Sequence, residues 1–283
     1  MDDGRALLVK RDDLAGTLIG GNKVRALEWL LGDVRRAERV LTVGPRGSTH
    51  ALITATYTRQ LGGDCTVVRW NQEMNPAALR VARRLEETAR VIDARWPPAA
   101  YVVATAYRMG GARWIPAGGA TPLAVLGHVN AALELAEQIA RGECELPRTL
   151  IVPLGTGGTA AGLALGLKLA GLGTRVVAVR VVPRILGRTS RVLHLANAAG
   201  SLIERVTGTR VARVERGDVR LEHAFYGGGY GRPIPAPAAA ETALHALGVK
   251  LDDTYSRKAF SAASAQTDHP TLFWLTFDGR LLD

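Results

Sequence analysis

Short apolar stretches alternate along this chain with helical patterns, and only a few turn residues separate one from the next. A strand that returns to lie parallel beside its predecessor needs a crossover, usually a helix, so this rhythm points to parallel sheets covered on both faces. RVLTV leads into STHALITATYTRQLG, CTVVRW into NPAALRVARRLEETA, RVIDA into AAYVVATAYRMG, TLIVPL into GTGGTAAGLALGLKLAG, and RVVAVRVV into SRVLHLANAAGSLIERVTG. ALLVK and TLFWLTF are predicted strands near either end, and TPLAVLGHVNAALELAEQIARG is a long helix between the two series. No repeat of fixed period and no low-complexity segment interrupts the pattern.

The length of 283 residues accommodates one large domain or two intimate ones. No apolar run approaches the ~20 residues that cross a bilayer, and the 22% charged content is that of a globular protein, so no membrane partner is expected. MDDGRALLVKRDDL mixes charges around a short apolar piece and lacks the features of a secretory signal, which predicts a cytoplasmic protein. Cys65 and Cys144 are far apart and fit no metal or redox spacing, so they read as plain thiols. His128, His194, His223, His245 and His269 show no ligand spacing, and no metal site is expected. The net charge of +10 invites a nucleic-acid partner, yet the densest groups, RVARRLEETAR and GDVRRAERV, are helical patterns with interspersed acids. They read as solvated helix faces, and no nucleic-acid partner is expected; attraction of an anionic cofactor fits the same charge.

Only five of the 36 basic residues are lysines. One of them, Lys23, stands directly behind Gly20-Gly21-Asn22, where Leu27, Leu30, Leu31 and Val34 begin to recur at helical spacing. In a chain that otherwise favours arginine, a lysine there suggests a requirement for an amine, although a solvated surface amine reads the same. In the second half, Gly155-Thr156-Gly157-Gly158-Thr159 follows a strand and opens a helix. Backbone N–H groups, two hydroxyls and the helix dipole then converge on one point, which suits a phosphate. The turn lacks the lysine of a Walker loop and the third glycine of the dinucleotide fingerprint; a turn that merely packs helix on strand is the alternative. A reactive amine and a phosphate cup together meet the needs of pyridoxal 5'-phosphate, which forms a Schiff base and must be anchored by its anionic tail.

KRDDL, GGNKVRALEWLL, IPAGGATPLAVLGHVNAALEL, GTGGTAAGLALG, GYGRPIP and LDDTYSRKAF occur in this order over nearly the whole chain. In them the sequence resembles the 1-aminocyclopropane-1-carboxylate deaminase and D-cysteine desulfhydrase family, within the tryptophan-synthase-beta-like, fold type II pyridoxal-phosphate enzymes. The resemblance implies a two-domain α/β architecture, each domain a mostly parallel twisted sheet flanked by helices, with the cofactor in the cleft between them. Residues 27–121 would form the small domain, and 1–26 with 122–283 the large one. Lys23 would carry the cofactor with Asn22 beside the linkage, and Gly155, Thr156, Gly157, Gly158 and Thr159 would hold its phosphate. Ser48, Thr49 and His50 would bind the substrate carboxylate; read without the family, Ser48 and His50 are a helix cap and a surface residue. Tyr255 would lie at the cofactor ring near the substrate, although a core aromatic reads the same, and Ser256 and Thr276 would face the pyridine nitrogen.

The chain departs from the family's pattern in places. Thr49 replaces an Asn that usually bonds the ring oxygen. Ser256 stands where ring-opening members carry a glutamate, which implies the desulfhydrase branch. Phe277 and Asp278 replace a Gly-Gly after Thr276: Phe277 either adds bulk near the ring or turns outward, and Asp278 is a candidate for the missing acid. Relatives also carry ~30 further residues ahead of KRDDL, so a partner subunit covers that edge or the site is more open. The expected activity is β-elimination from a small amino acid such as D-cysteine, in a homodimer. Deamination of 1-aminocyclopropane-1-carboxylate, β-replacement, racemisation and a non-catalytic ligand-binding relative are the alternatives.

Overall fold

Apolar side chains alternate between two buried faces along the central strands, as a sheet sandwiched by helices requires. The computed structural model describes residues 7–235 and 237–282; the residues ahead of Leu7, on which part of the amino-terminal reading rests, lie outside them. In chain order the elements are β1 (Leu7–Arg11), α1 (Lys23–Leu31), β2 (Arg39–Pro45), α2 (Thr49–Gln60), β3 (Asp64–Trp70), α3 (Pro76–Thr88), β4 (Arg90–Ala94), α4 (Pro97–Met109), β5 (Arg113–Ile115) and α5 (Pro122–Ala140). Then follow β6 (Thr149–Leu154), α6 (Gly158–Leu169), β7 (Arg175–Arg180), α7 (Thr189–Thr207), β8 (Val219–Glu222), α8 (Ala238–Ala246), α9 (Ser256–Ser264) and β9 (Thr271–Leu275).

The strands form two sheets, ordered β4-β3-β2-β5 and β1-β9-β6-β7-β8, and every pairing in them is parallel. In the four-stranded sheet Val40 packs with Leu52, Ile53 and Leu85 on one face, while Leu41 and Val43 pack with Ala100 and Ala104 under α4 on the other. In the five-stranded sheet, Leu150 and Val152 face α5 and α6, and Ile151 faces Phe260 and Phe273. β5 and β8 were not singled out as strands in the sequence: RWI is short, and VRLE carries two charges and lies at a sheet edge.

Helix starts follow local chemistry. Ser48, Asn75 and Thr121 cap α2, α3 and α5 by accepting from the amides of Ala51, Ala78 and Ala124, and proline opens α3 and α5. Close contacts at α5 then decide which helices meet. A Cβ on Gly127 would lie 1.9 Å from the Arg25 carbonyl oxygen of α1, and one on Gly162 of α6 would lie 2.4 Å from the Cβ of His128. Only glycine permits these approaches. They bring the start of α1, the middle of α5 and the start of α6 to one point, where the two sheets meet.

Candidate functional site

Asn22 and Lys23 are held by a strap from the far end of the chain. The amide of Asn22 donates to the Thr276 carbonyl at 3.1 Å, and that of Gly20 donates to Asp278 Oδ2 at 2.8 Å. Gly21 has a φ of 107°, and a Cβ there would lie 2.9 Å from the same Thr276 oxygen, so the lysine loop fits only with glycine. From this loop Lys23 Nζ donates to the carbonyl of Gly118 at 3.2 Å. A Cβ on Gly118 would touch Thr156 Oγ1 at 2.5 Å, so Gly118 separates the amine from the glycine turn by a single backbone layer. Asn22 Nδ2 donates to Thr159 Oγ1 at 2.7 Å, and the same hydroxyl lies 3.4 Å from His128 Nε2.

The glycine turn leaves its amides unpaired. Gly157 has a left-handed φ of 95°, and no side chain caps the start of α6. Among the described residues, the amides of Thr156 to Ala160 donate to no protein acceptor. Uncapped amides at a helix start carry partial positive charge and bind phosphate. A Cβ on Gly155 would meet Tyr255 Cε1 at 3.9 Å, an ordinary contact distance, so the Tyr255 ring lies over the turn. A buried nitrogen, His128 Nδ1, has no hydrogen-bond partner. These residues fit pyridoxal 5'-phosphate: an amine, an uncapped turn with two hydroxyls, and an unpartnered imidazole nitrogen buried beside them.

Two lysines compete for the role of nucleophile. Burial pulls both Lys23 and Lys258 down to about 8 from the ordinary 10.5. Lys258 is fully buried and donates to two carbonyls, those of Tyr226 and Gly229, each at 2.7 Å. Lys23 makes one such bond, retains partial exposure, and faces the turn. Of the two amines, that of Lys23 is the more accessible and the one next to the layer that covers the glycine turn.

His50 and His128 are buried near the lysine, and burial, reinforced by the Lys23 charge, pushes each imidazole down to about 3 from 6.5. His50 Nε2 lies 3.1 Å from Thr42 Oγ1, and its ring packs against Gly119, so the side chain is turned into β2. A base with a depressed folded pKa contributes stability above its unfolded value, and that stability is lost as pH falls. Stability is therefore expected to decline from about pH 6.5 toward about 3, by ~1.4 kcal/mol per pH unit for each imidazole. Urea unfolding at pH 7 and pH 5 checks this; a His128→Asn variant declining as steeply as the parent would remove His128 from the account.

The other predicted residues fall into two groups. Thr49, at the start of α2, lines a cavity of about 20 Å³ with Asn75, Tyr230, Asp252, Tyr255 and Phe277, drawn from both sides of the cleft. Ser48 is buried, and its hydroxyl accepts from the Ala51 amide at 3.3 Å. Tyr255 shares a hydrogen bond with Tyr230, their rings edge to face at 5.8 Å. Burial pushes the Tyr230 phenol up to about 12 and that of Tyr255 well above its ordinary value, so both remain protonated. Ser256 is fully buried with its hydroxyl bonded to Asp252, which also accepts from the amides of Thr254, Tyr255 and Ser256 at 2.9 Å. Thr276 is buried at the end of β9, where its carbonyl grips Asn22.

The alternatives left open at Phe277 and Asp278 now resolve. Phe277 turns inward, into the cluster of Ile53, Val81 and Leu281, and lines the cavity. Asp278 serves the lysine loop: it accepts from Gly20 and from Arg280, whose Nη2 is 2.7 Å away. Burial raises this carboxyl, but the bonds from Arg280 and Gly20 outweigh it and hold it below the usual range. Residues that the sequence did not mark for the site include Tyr230, His128 and Lys258. The scarcity of lysine that pointed to Lys23 applies equally to Lys258, next to an arginine in SRKAF. The glycines around Tyr230 were the available signal there.

The chain is 37% identical to a nocardicin C-9' epimerase of Nocardia uniformis subsp. tsuyamanensis, over 98% of this chain and 87% of that protein. It is 31% identical to a D-cysteine desulfhydrase of Salmonella choleraesuis, over 91% of this chain and 80% of that one. A solved structure of an ACC deaminase homologue superposes with a TM-score of 0.78 at 29% identity, covering 97% of this chain and 85% of that one. The processed form of threonine deaminase isoform 2 from Solanum lycopersicum, at 16% identity and a TM-score of 0.63 over 97% of this chain and 75% of that one, shares the fold. The pattern of the pyridoxal-phosphate dependent enzymes matches residues 2–267, and the chain belongs to that family.

Proposed function

We propose that the protein holds pyridoxal 5'-phosphate between its two sheets and removes the α-proton of a small amino acid, with β-elimination to an oxoacid and ammonia as the outcome. The observation that carries this reading is the approach of the desolvated Lys23 amine to the uncapped turn at Gly155–Thr159, tied by the Asn22–Thr159 bond. When bound, the cofactor supplies an electron sink for the charge left at the α-carbon. The amides of the turn and the hydroxyls of Thr156 and Thr159 bind the phosphate. Lys23 would hold the cofactor through its amine, and the same amine would take the α-proton of the substrate.

The start of α2, with the amides of Thr49 and His50 and the Thr49 hydroxyl, binds the substrate carboxylate; Ser48 caps that helix and fixes its position. Tyr255, paired with Tyr230 and kept neutral, gives a proton to the leaving group. Thr276 offers the hydroxyl toward the pyridine nitrogen, and that of Ser256 is taken up by Asp252. Neither can hold that nitrogen protonated as a carboxylate would, which suits a substrate with a good leaving group such as D-cysteine.

The epimerase relative favours a second reading, inversion at the α-carbon, in which Tyr255 returns a proton there and no leaving group departs. Incubation with D-cysteine in deuterated water separates them. Sulfide and pyruvate mark elimination, whereas L-cysteine carrying deuterium at the α-carbon, without oxoacid, marks inversion. Release of 2-oxobutanoate from 1-aminocyclopropane-1-carboxylate would instead favour ring opening. No change in any of a panel of D- and L-amino acids would sink the catalytic reading and leave a ligand-binding relative.

The same proposal divides the chain into a smaller unit of residues 27–121 and a larger one of 1–26 and 122–283; β2 to β5 fall within the first. A cytoplasmic homodimer belongs to it too, and sedimentation of a single-subunit mass would remove the dimer. Among the described residues, no helix is long and apolar enough to cross a membrane.

A further inference from the structure

The segment that carries Tyr230 has little internal support. Gly227, Gly228 and Gly231 have φ values of 65°, 75° and 76°, and among the described residues no regular element runs between Tyr226 and α8. Contacts to neighbouring elements hold it. At its start, the Tyr226 ring lies under the Arg180 guanidinium at 4.2 Å, and Arg180 is itself fixed by His223 and the Val182 carbonyl. Beyond Tyr230, Asn75 Nδ2 of the other sheet donates to the Gly231 carbonyl at 3.1 Å, and Arg232 pairs with Glu73. Between these ends stands Lys258 of α9. Its Nζ donates to the carbonyls of Tyr226 and Gly229 on either side of the two left-handed glycines, and it lies 5.4 Å from the Tyr226 ring.

We propose that Lys258 is the positioning residue for Tyr230: by clamping the Tyr226 and Gly229 carbonyls it fixes the bend at Gly227 and Gly228, and so sets the Tyr230 hydroxyl on that of Tyr255. A compact ammonium with tetrahedral donors can reach two carbonyls pointing at one spot, whereas a planar guanidinium cannot do so in the same volume. Lys258 is three residues from Tyr255 at the start of α9, so one helix places the tyrosine and the clamp for its partner. Burying so long a polar side chain completely is unfavourable unless its donors are met; the two carbonyls take two of the three, and the Tyr226 ring lies 5.4 Å from Nζ. Burial weighs most against its charge, while Asp252 and Asp253 favour it and Arg180 opposes it.

The inference rests on the reading of Tyr230 and Tyr255 as groups near the substrate, and its test separates the two. Hydrogen exchange is measured by mass spectrometry on the cofactor-loaded protein and its Lys258→Met variant. Exchange across residues 227–232 is expected to rise at least ~10-fold, with β6, β9 and the visible cofactor band unchanged. Exchange that rises equally in β6 and β9, or does not rise in 227–232, would overturn the clamp. Should Lys258→Met not fold, Lys258→Gln, which keeps one amide donor group, is read in the same way with a smaller rise. Turnover of Lys258→Met is expected to fall about as far as that of Tyr230→Phe, with no further fall in the double variant; additive losses would overturn the coupling. If Tyr230→Phe turns over like the parent while exchange rises locally, the clamp stands and the catalytic reading of the tyrosine pair falls.

Discussion

Lys23→Ala is expected to give a folded protein that lacks the visible absorbance of bound cofactor and turns over at least ~10³-fold more slowly. The fold should survive, because the Lys23 side chain makes a single hydrogen bond, to Gly118, and its loop is held through backbone contacts to Thr276 and Asp278. Thermal unfolding of the cofactor-free forms checks the first part, and absorbance with turnover checks the second. Retention of the band would transfer the nucleophile's role elsewhere, with Lys258 the next buried amine. The pH dependence has a definite sign. The nucleophile is the neutral amine, so capture of cofactor by the parent protein should quicken as pH rises through about 8 and then level off. A rate still climbing toward the ordinary lysine range would mean that burial does not act on this amine.

Gly20→Ala is expected to be among the most damaging single-methyl changes in the protein. A Cβ there would lie 1.9 Å from the Asp13 carbonyl oxygen and 2.8 Å from its carbon, both backbone atoms that cannot rotate away. Asp13 itself is buried, with both carboxylate oxygens bonded to Arg11 at 2.8 Å. On the other side, Gly20 is held by its bond to Asp278. Relief must displace the turn that leads to Lys23, at ~3 kcal/mol or more, which lowers the melting temperature by roughly 6 °C or more. Cofactor retention should fall with it. Gly173→Ala is the control: a Cβ there meets nothing within 4 Å, and its φ is not in the left-handed range. Equal melting temperatures for the two variants would show that the loop is not packed as described.

The charge network under the same loop explains why KRDDL and GGNKVR occur together. Asp12 is fully buried and accepts from Trp274 Nε1 at 2.7 Å and from Arg25 Nε at 2.8 Å, while its carbonyl accepts from the Gly21 amide. Arg25 continues to Glu134 of α5, which also pairs with Lys10. Removing one member of a buried pair leaves the other uncompensated, so this network holds the lysine loop to α5 and β9.

Much of the fold was legible. Alternating short strands and helices require parallel sheets whatever the details, and helix starts could be read where the cap is local, as at Ser48, Asn75 and Thr121. Lys23 and the glycine turn were legible because the chain uses lysine sparingly and because an uncapped Gly-rich helix start has few structural uses. The role of Asp278 was not: its sequence neighbours suggested an acid for the cofactor ring, and only its bonds to Gly20 and Arg280 show what it does.

The sequence by itself determined the periodicities, the caps and the Gly-rich start of α6, since each depends on residues close together in the chain. The tertiary structure alone decided the strand order that sets β1 beside β9, and the approach of α1, α5 and α6 that joins Asn22 to Thr159 and His128. Those contacts link residues far apart in sequence, and their geometry follows from which helices can come close, which no local pattern records.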